Sequence, residues 1–220
     1  MPVEKKKFNE IVRQLGAKVI IVAVSKTKPV EDILELYSLD HRDFGENYVQ
    51  ELVEKARQLS KDIRWHFIGH LQTNKVKFIA PFIHLIQGVD SFNLLKEINR
   101  QGEKNNRVID CLLQVHIAQE ETKFGLDENE LKELLNDSMA QLPNVRICGL
   151  MGMASLTDDM NKVSSEFHYL KTLFDKLTAH DSRLKILSMG MSSDYKIAIE
   201  EGSNMVRIGS LIFGERNSLK

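Results

Sequence analysis

AKVIIVAVSKTKP, residues 17–29, is the stretch from which the rest of the chain can be read. Val19 to Val24 is an unbroken apolar run, mostly β-branched and without alternation. Such a run fits a strand buried on both faces, as in a parallel sheet covered by helices. It gives way to Ser25, Lys26, Thr27, Lys28 and Pro29, and a helical pattern follows from Val30. A lysine at the point where a buried strand becomes a loop can sit on the floor of a pocket. Apolar walls there lower its pKa, and the neutral amine is the form that attacks carbonyls. Taken by themselves, Lys26 and Lys28 are better read as solvated loop cations; the remainder of the chain alters that balance.

Working outward, the same pairing of buried run and amphipathic helix recurs. Upstream, residues 4–15 place Phe8, Ile11, Val12 and Leu15 on one side of a helix. Downstream, strands are expected at 42–45, 64–69, 83–89, 108–117, 145–151, 185–187 and 205–208. Helices are expected at 30–39, up to Leu59, from Asn74, at 92–105 behind an N-cap at Ser91, and at 127–139, 162–179 and 194–201. Residues 120–125 read as a polar loop. Together with the opening run this makes eight βα units without a linker or low-complexity tract, so residues 1–220 are expected to form a single domain. The predicted fold is α/β, a closed (β/α)8 TIM barrel with an extra N-terminal helix, compact beside the usual length of about 250 residues. A doubly wound open sheet is the competing arrangement, because pattern alone does not prove closure.

Composition narrows the function. Lys and Arg number 30 against 31 for Asp and Glu, a net charge of -1, which gives no bulk electrostatic case for nucleic acid or an anionic membrane. The start, MPVEKKKFNE, does not read as a signal peptide, and no stretch approaches the roughly 20 apolar residues that span a bilayer. Cys111 and Cys148 lie in apolar runs and read as reduced core residues. A cytoplasmic location is expected.

In a parallel barrel, function collects at the C-terminal ends of the strands. The residues expected there are Lys26, Glu46 and Asn47, His66 and Gly69, Met151 and Met153, Ser188 to Ser193, and Arg207 to Ser210. Gly190-Met191-Ser192-Ser193 and Arg207-Ile208-Gly209-Ser210 have the small, hydroxyl-bearing composition of a phosphate cup before a helix, and they fall after the last two strands. His66 has no carboxylate at a metal-ligand interval, so no metal site is expected; His116 reads as a mid-strand core or pocket-wall residue. No Ser-His-Asp set, P-loop or GxGxxG is present. A strand-end lysine opposite a phosphate cup suits two ligand classes: sugar phosphates in Schiff-base aldolases, and pyridoxal 5′-phosphate (PLP).

Seven motifs carry a resemblance over nearly the whole chain. VAVSKTKP at 22–29, FGENYVQE at 44–51, WHFIGHLQTNK at 65–75, KFG at 123–125, GLMGMAS at 149–155, LSMGMSSDYKIAI at 187–199 and GSNMVRIGSLIFGER at 202–216 resemble the YggS/PROSC family of PLP-binding homeostasis proteins. The resemblance implies the fold-type III barrel of the alanine racemase N-terminal domain, standing alone. It implies that Lys26, the first lysine of SKTKP, carries PLP as an internal aldimine. Ser192, Gly209 and Ser210 would then hold the phosphate, Arg207 would face the pyridine nitrogen, and Asn47 and His66 would line the pocket. Ser210 stands where threonine is usual and keeps the hydroxyl; Gly152 is smaller than the usual polar residue, which bears on the shape of that wall.

An arginine against the ring nitrogen is a permanent donor and disfavours a protonated pyridine, so carbanion chemistry is poorly supported. Alanine racemases work with such an arginine but add a tyrosine from a second domain. Here Tyr37, Tyr48, Tyr169 and Tyr195 all fall in expected helices. The resemblance therefore implies a monomeric PLP holder, without evident turnover, that buffers the cofactor or delivers it to PLP-dependent apoenzymes. A racemase-like PLP enzyme and a Schiff-base aldolase are the rival readings.

Overall fold

The computed structural model describes residues 3–118, 124–137, 142–179 and 181–215. Its first half runs α1 (Lys5–Leu15), β1 (Ile20–Val24), α2 (Val30–Tyr37), β2 (Asp43–Glu46), α3 (Val49–Gln58), β3 (Arg64–Phe67), α4 (Val76–Ile79) and β4 (Leu85–Val89). The second half runs α5 (Phe92–Lys104), β5 (Ile109–Val115), α6 (Glu128–Asp137), β6 (Val145–Gly152), α7 (Met160–Thr178), β7 (Ile186–Ser188), α8 (Tyr195–Glu200), β8 (Met205–Ile208) and α9 (Ser210–Phe213). Each strand pairs in parallel with the next, and β1 closes onto β8 from Ile20↔Met205 to Ala23↔Ile208. The sheet is a closed barrel, which removes the open-sheet alternative.

The absence of alternation in the strands follows from this closure. Ile21, Ala23, Phe44, Trp65, Ile86 and Val206 pack in the large core with helix residues such as Ile33, Leu52 and Leu94. Their neighbours Val22, Leu85, Leu112, Met151 and Met205 form a separate cluster inside the barrel. A strand such as β1 is therefore apolar on both faces. Charge enters at the strand starts, where cross-strand pairs Asp43–Arg64 and Asp110–Arg146 stand in register.

Between β5 and β6 the register slips, from Cys111↔Ile147 to Leu112↔Gly149. At Gly149 a Cβ would lie 1.8 Å from the Ile186 carbonyl oxygen of β7. Only glycine lets the bulged strand approach that closely.

The element bounds depart from the sequence reading in identifiable places. Asp159 accepts from the N–H groups of Asn161 and Lys162, so α7 starts earlier than expected. Ser91 caps α5 as expected, accepting from the Leu94 N–H at 3.3 Å. The helix expected from Asn74 is a 3-10 turn (Thr73–Lys75) and the single turn of α4. His116 lies beyond the end of β5, not mid-strand. The turn expected after β8 is helical, and α1 reaches it through the Glu4 N–H and Ile212 carbonyl at 2.8 Å. The expected polar loop over 120–123 and the expected helix end at 138–139 lie outside the described residues, as do Lys123 and Arg216 of the quoted motifs. No helix among the described residues is long and apolar enough to cross a membrane.

Candidate functional site

At the C-terminal ends of the strands a pocket of about 290 Å³ opens, lined from β1 by Val24, Lys26 and Lys28 and from the other side by Ser192, Ser193, Arg207, Gly209 and Ser210. Asn47, Ile68, Met153 and Met191 form its walls. Among the described residues that line it, the ionisable groups are Lys26, Lys28 and Arg207, and there is no carboxylate, histidine or tyrosine. The site is built to meet negative charge.

Lys26 sits in a tight turn. β1 ends at Val24, and the Lys28 N–H bonds back to the Ser25 carbonyl at 3.0 Å. Thr27, third in that turn, has φ of +63°, a left-handed conformation that a β-branched residue avoids at a cost of about 1–2 kcal/mol. Strand geometry thus ends before the lysines, and alternation does not govern where they point. What holds the strained turn is a buried ionic knot. Lys55 Nζ on α3 donates to the Ser25 carbonyl at 2.7 Å, to Glu46 Oε1 at 2.8 Å and to Glu51 Oε1 at 2.7 Å. Ser25 Oγ donates to Glu46 Oε1 at 2.6 Å, and the Thr27 N–H donates to Glu51 Oε1 at 2.6 Å. Burial pushes the Glu46 carboxyl up from its ordinary value, against the pull of Lys55. Lys28 Nζ donates to the Phe213 carbonyl at 2.7 Å, tying the turn to the C-terminal end of α9.

Arg207 on β8 is 3% exposed. Its Nη1 donates to the Ser188 carbonyl at 3.0 Å and to Ser188 Oγ at 2.7 Å, and its Nη2 to the Gly152 carbonyl at 2.9 Å. Desolvation pushes the guanidinium down to about 10, with Asp194 opposing, so it remains cationic at pH 7. A buried cation held by carbonyls and a hydroxyl, with no carboxylate bonded to it among the described residues, is poised for an acceptor in the pocket.

Beside it lies the cup. The Gly209 N–H donates to Ser192 Oγ at 3.2 Å, joining the β7 and β8 loops. The Met191 N–H donates to Asp194 Oδ1 at 2.5 Å, and Gly190 turns the chain at φ of +95°, where a Cβ would meet Ala198 at 2.5 Å. Among the described residues the N–H groups of Ser192, Ser193, Ser210 and Leu211 donate no hydrogen bond. Backbone amides gathered from two adjacent loops are the usual means of holding a phosphate.

Of the residues expected at the site, Lys26, Asn47, Ser192, Arg207, Gly209 and Ser210 meet in this pocket. His66 does not. It is buried below the pocket, with Nε2 at 3.0 Å from Asp43 Oδ1 and Nδ1 at 3.1 Å from Gln87 Nε2. Gly152 does not shape the pocket wall either, because a Cβ there would point at Leu170 and Ile117. Glu46, at a strand end, is spent on the knot. Tyr48 precedes α3 in the loop after β2, outside the helix in which it was expected, and does not line the pocket. Sequence reading missed Lys55, Gln87 and the strain at Thr27; only the φ preference of a turn could have flagged the last. His66 also has a carboxylate neighbour that sequence spacing hid, since Asp43, His66 and His84 bring ligand atoms within 4.8 Å of one another. Both Asp43 oxygens are taken by Arg64, whose guanidinium holds that carboxyl well below the usual range, so the trio reads as part of an ion pair.

The family described as alanine racemase, N-terminal domain, matches residues 5–217. A pyridoxal phosphate homeostasis protein of Aquifex aeolicus is 44% identical over 198 residues, covering 89% of this chain and 86% of the relative. Its human namesake is 39% identical over 216 residues, covering 91% of this chain and 78% of the relative. Among solved structures, PipY of Synechococcus elongatus with PLP bound superposes with a TM-score of 0.88 at 34% identity, covering 95% of this chain and 99% of PipY.

Proposed function

The chain belongs to the pyridoxal phosphate homeostasis proteins, which use the barrel of the alanine racemase N-terminal domain, and on that premise we propose that its strand-end pocket holds pyridoxal 5′-phosphate. The observation that carries this reading is the pocket's charge. Three cations and a cup of open amides, with no carboxylate among the described lining residues, suit an aldehyde bearing a doubly negative phosphate. Lys26 is the amine for the aldehyde carbon. Ser192, Gly209 and Ser210 take the phosphate, Arg207 faces the ring nitrogen, and Asn47 flanks the ring. Among the described residues the buried Asn47 Oδ1 has no hydrogen-bond partner, as expected of an atom kept for a ligand.

The role is to hold the cofactor and release it to PLP-dependent apoenzymes, without turnover. PLP supplies an electron sink, but Arg207 opposes ring protonation, and among the described lining residues there is no base besides the lysines. The chain is read as a single-domain monomer in the cytoplasm, and the reduced thiols of Cys111 and Cys148 suit a reducing compartment.

The test begins with the visible spectrum of protein mixed with PLP, followed by borohydride reduction and peptide mapping. A pyridoxyl group on Lys26 is expected; on Lys28 it would overturn the assignment, and a protein that stays colourless would overturn the cofactor. Exchange of the α-hydrogen across a panel of amino acids should stay at background, and turnover there would replace holding with a racemase-like activity.

A further inference from the structure

The barrel interior is not wholly apolar. From the floor of the pocket a single file of hydrogen bonds crosses it to the opposite rim, one residue per strand. Arg207 Nη1 donates to Ser188 Oγ at 2.7 Å, and Ser188 Oγ donates to Gln87 Oε1 at 2.7 Å. Gln87 Nε2 meets His66 Nδ1 at 3.1 Å, and His66 Nε2 meets Asp43 Oδ1 at 3.0 Å. Ser188, Gln87, His66 and Arg207 are each at most 3% exposed. None of the three middle members lines the pocket.

The two ends decide the direction of every bond. Arg207 can only donate, so Ser188 accepts from it and gives its own proton to Gln87 Oε1. An ionised Asp43 can only accept, and Arg64 keeps it ionised, so His66 carries a proton on Nε2. Gln87 must then offer its oxygen to Ser188 and its nitrogen to the bare Nδ1 of His66. The reversed amide would strand the Ser188 proton and, with a neutral imidazole, set lone pair against carboxylate at Asp43. All donors therefore point one way, from the cation under the pocket to the carboxylate at the far rim.

We propose that Ser188, Gln87, His66 and Asp43 are positioning residues that lock Arg207 as a donor toward the pocket and so set its preference for an unprotonated ring nitrogen. The proposal rests on the reading of the pocket as a PLP site. A buried guanidinium without a bonded carboxylate would otherwise have to turn toward whatever acceptor is nearest. The file supplies the compensation at a distance, since aligned hydrogen bonds polarise one another in a dry interior.

Two measurements test this. The first uses ligand-free protein: side-chain nitrogen NMR should find the His66 proton on Nε2 at neutral pH. A proton on Nδ1 would mean that the file is broken at Gln87 and would overturn the proposal. The second compares retention of PLP with retention of its carbocyclic analogue, in which a ring C–H replaces the nitrogen. The native protein should favour PLP, and Ser188→Ala and Asp43→Asn should each reduce that preference about tenfold, roughly one charge-assisted hydrogen bond. Because both act through one file, the double variant should lose no more than either single one. Additive losses, or a preference untouched by Asp43→Asn, would overturn the proposal. Should Asp43→Asn not fold, Gln87→Leu takes its place in the cycle. If the protein retains neither compound, the cofactor reading fails and the position of the His66 proton alone decides on the file.

Discussion

Replacing Lys55 with methionine probes the knot under the Lys26 turn. The substitution removes the ammonium that faces Glu46, Glu51 and the Ser25 carbonyl while keeping most of the side-chain volume. Ser25 keeps the Lys28 N–H on its carbonyl, so the main orphan is the Glu46 carboxylate, which is fully buried. Breaking a buried pair in this way costs about 3–5 kcal/mol. A second limit comes from proton uptake, because a stranded carboxylate can be neutralised. With an ordinary value of 4.5, protonating Glu46 at pH 7 costs about 1.36 × 2.5, or ~3.4 kcal/mol, and at pH 5.5 only ~1.4 kcal/mol. The sign is that of a carboxyl whose folded pKa is raised: the penalty vanishes below the ordinary value and grows as pH rises.

Urea unfolding at the two pH values reads this directly. For a slope of about 3 kcal/mol per molar, the midpoint should fall by roughly 1 M at pH 7 and by roughly 0.5 M at pH 5.5. Adding Glu46→Gln should restore most of the loss and abolish its pH dependence, since the amide oxygen still accepts from Ser25 Oγ. A penalty equal at both pH values, or one that Glu46→Gln leaves in place, would refute the assignment of the cost to a stranded carboxylate.

Three further outcomes are expected. Lys26→Ala should abolish the visible band formed with PLP without altering the far-ultraviolet dichroism, whereas Lys28→Ala should keep the band. Thr27→Gly should stabilise the protein by about 0.5–1 kcal/mol in the same urea assay, the relief of a left-handed threonine less the entropy that glycine adds to the unfolded chain; a loss would show that the Thr27 side chain is needed where it stands. Gly149→Ala should cost about 4 kcal/mol or more, visible as a collapse of soluble expression or melting temperature, because its Cβ has no space beside the Ile186 carbonyl.

The barrel was legible because its evidence is local. Apolar runs such as Ile20–Val24, without alternation, require cover on both faces, and their spacing leaves room only for a helix between each pair. The pocket was legible for a related reason. Its residues lie in the few positions just past each strand, where the small or charged Lys26, Ser192 and Gly209 follow apolar strand runs. What closed the sheet was not legible, since the β1–β8 pairing joins residues some 185 positions apart in the chain, as from Ile20 to Met205.

The polar interior was hidden for a different physical reason. Asp43, His66, Gln87, Ser188 and Arg207 are scattered one per strand, and apart from Asp43, which follows His41 and Arg42, each reads locally as an isolated polar residue in an apolar run. Nothing in a single strand says whether such a residue faces the covering helices or the barrel axis. Only the closed register, Gly45↔His66, His66↔Leu85, Ser188↔Met205 and Val22↔Arg207, turns all of them inward together. Once they share one interior, burial without bonding is too costly to persist, and a donor-only arginine and an acceptor-only carboxylate at the two ends leave the intervening serine, amide and imidazole one consistent arrangement. His66, which the resemblance placed at the pocket wall, is not among the residues that line the pocket. Its place is two hydrogen bonds below Ser188, where it answers to Asp43 on one side and Gln87 on the other.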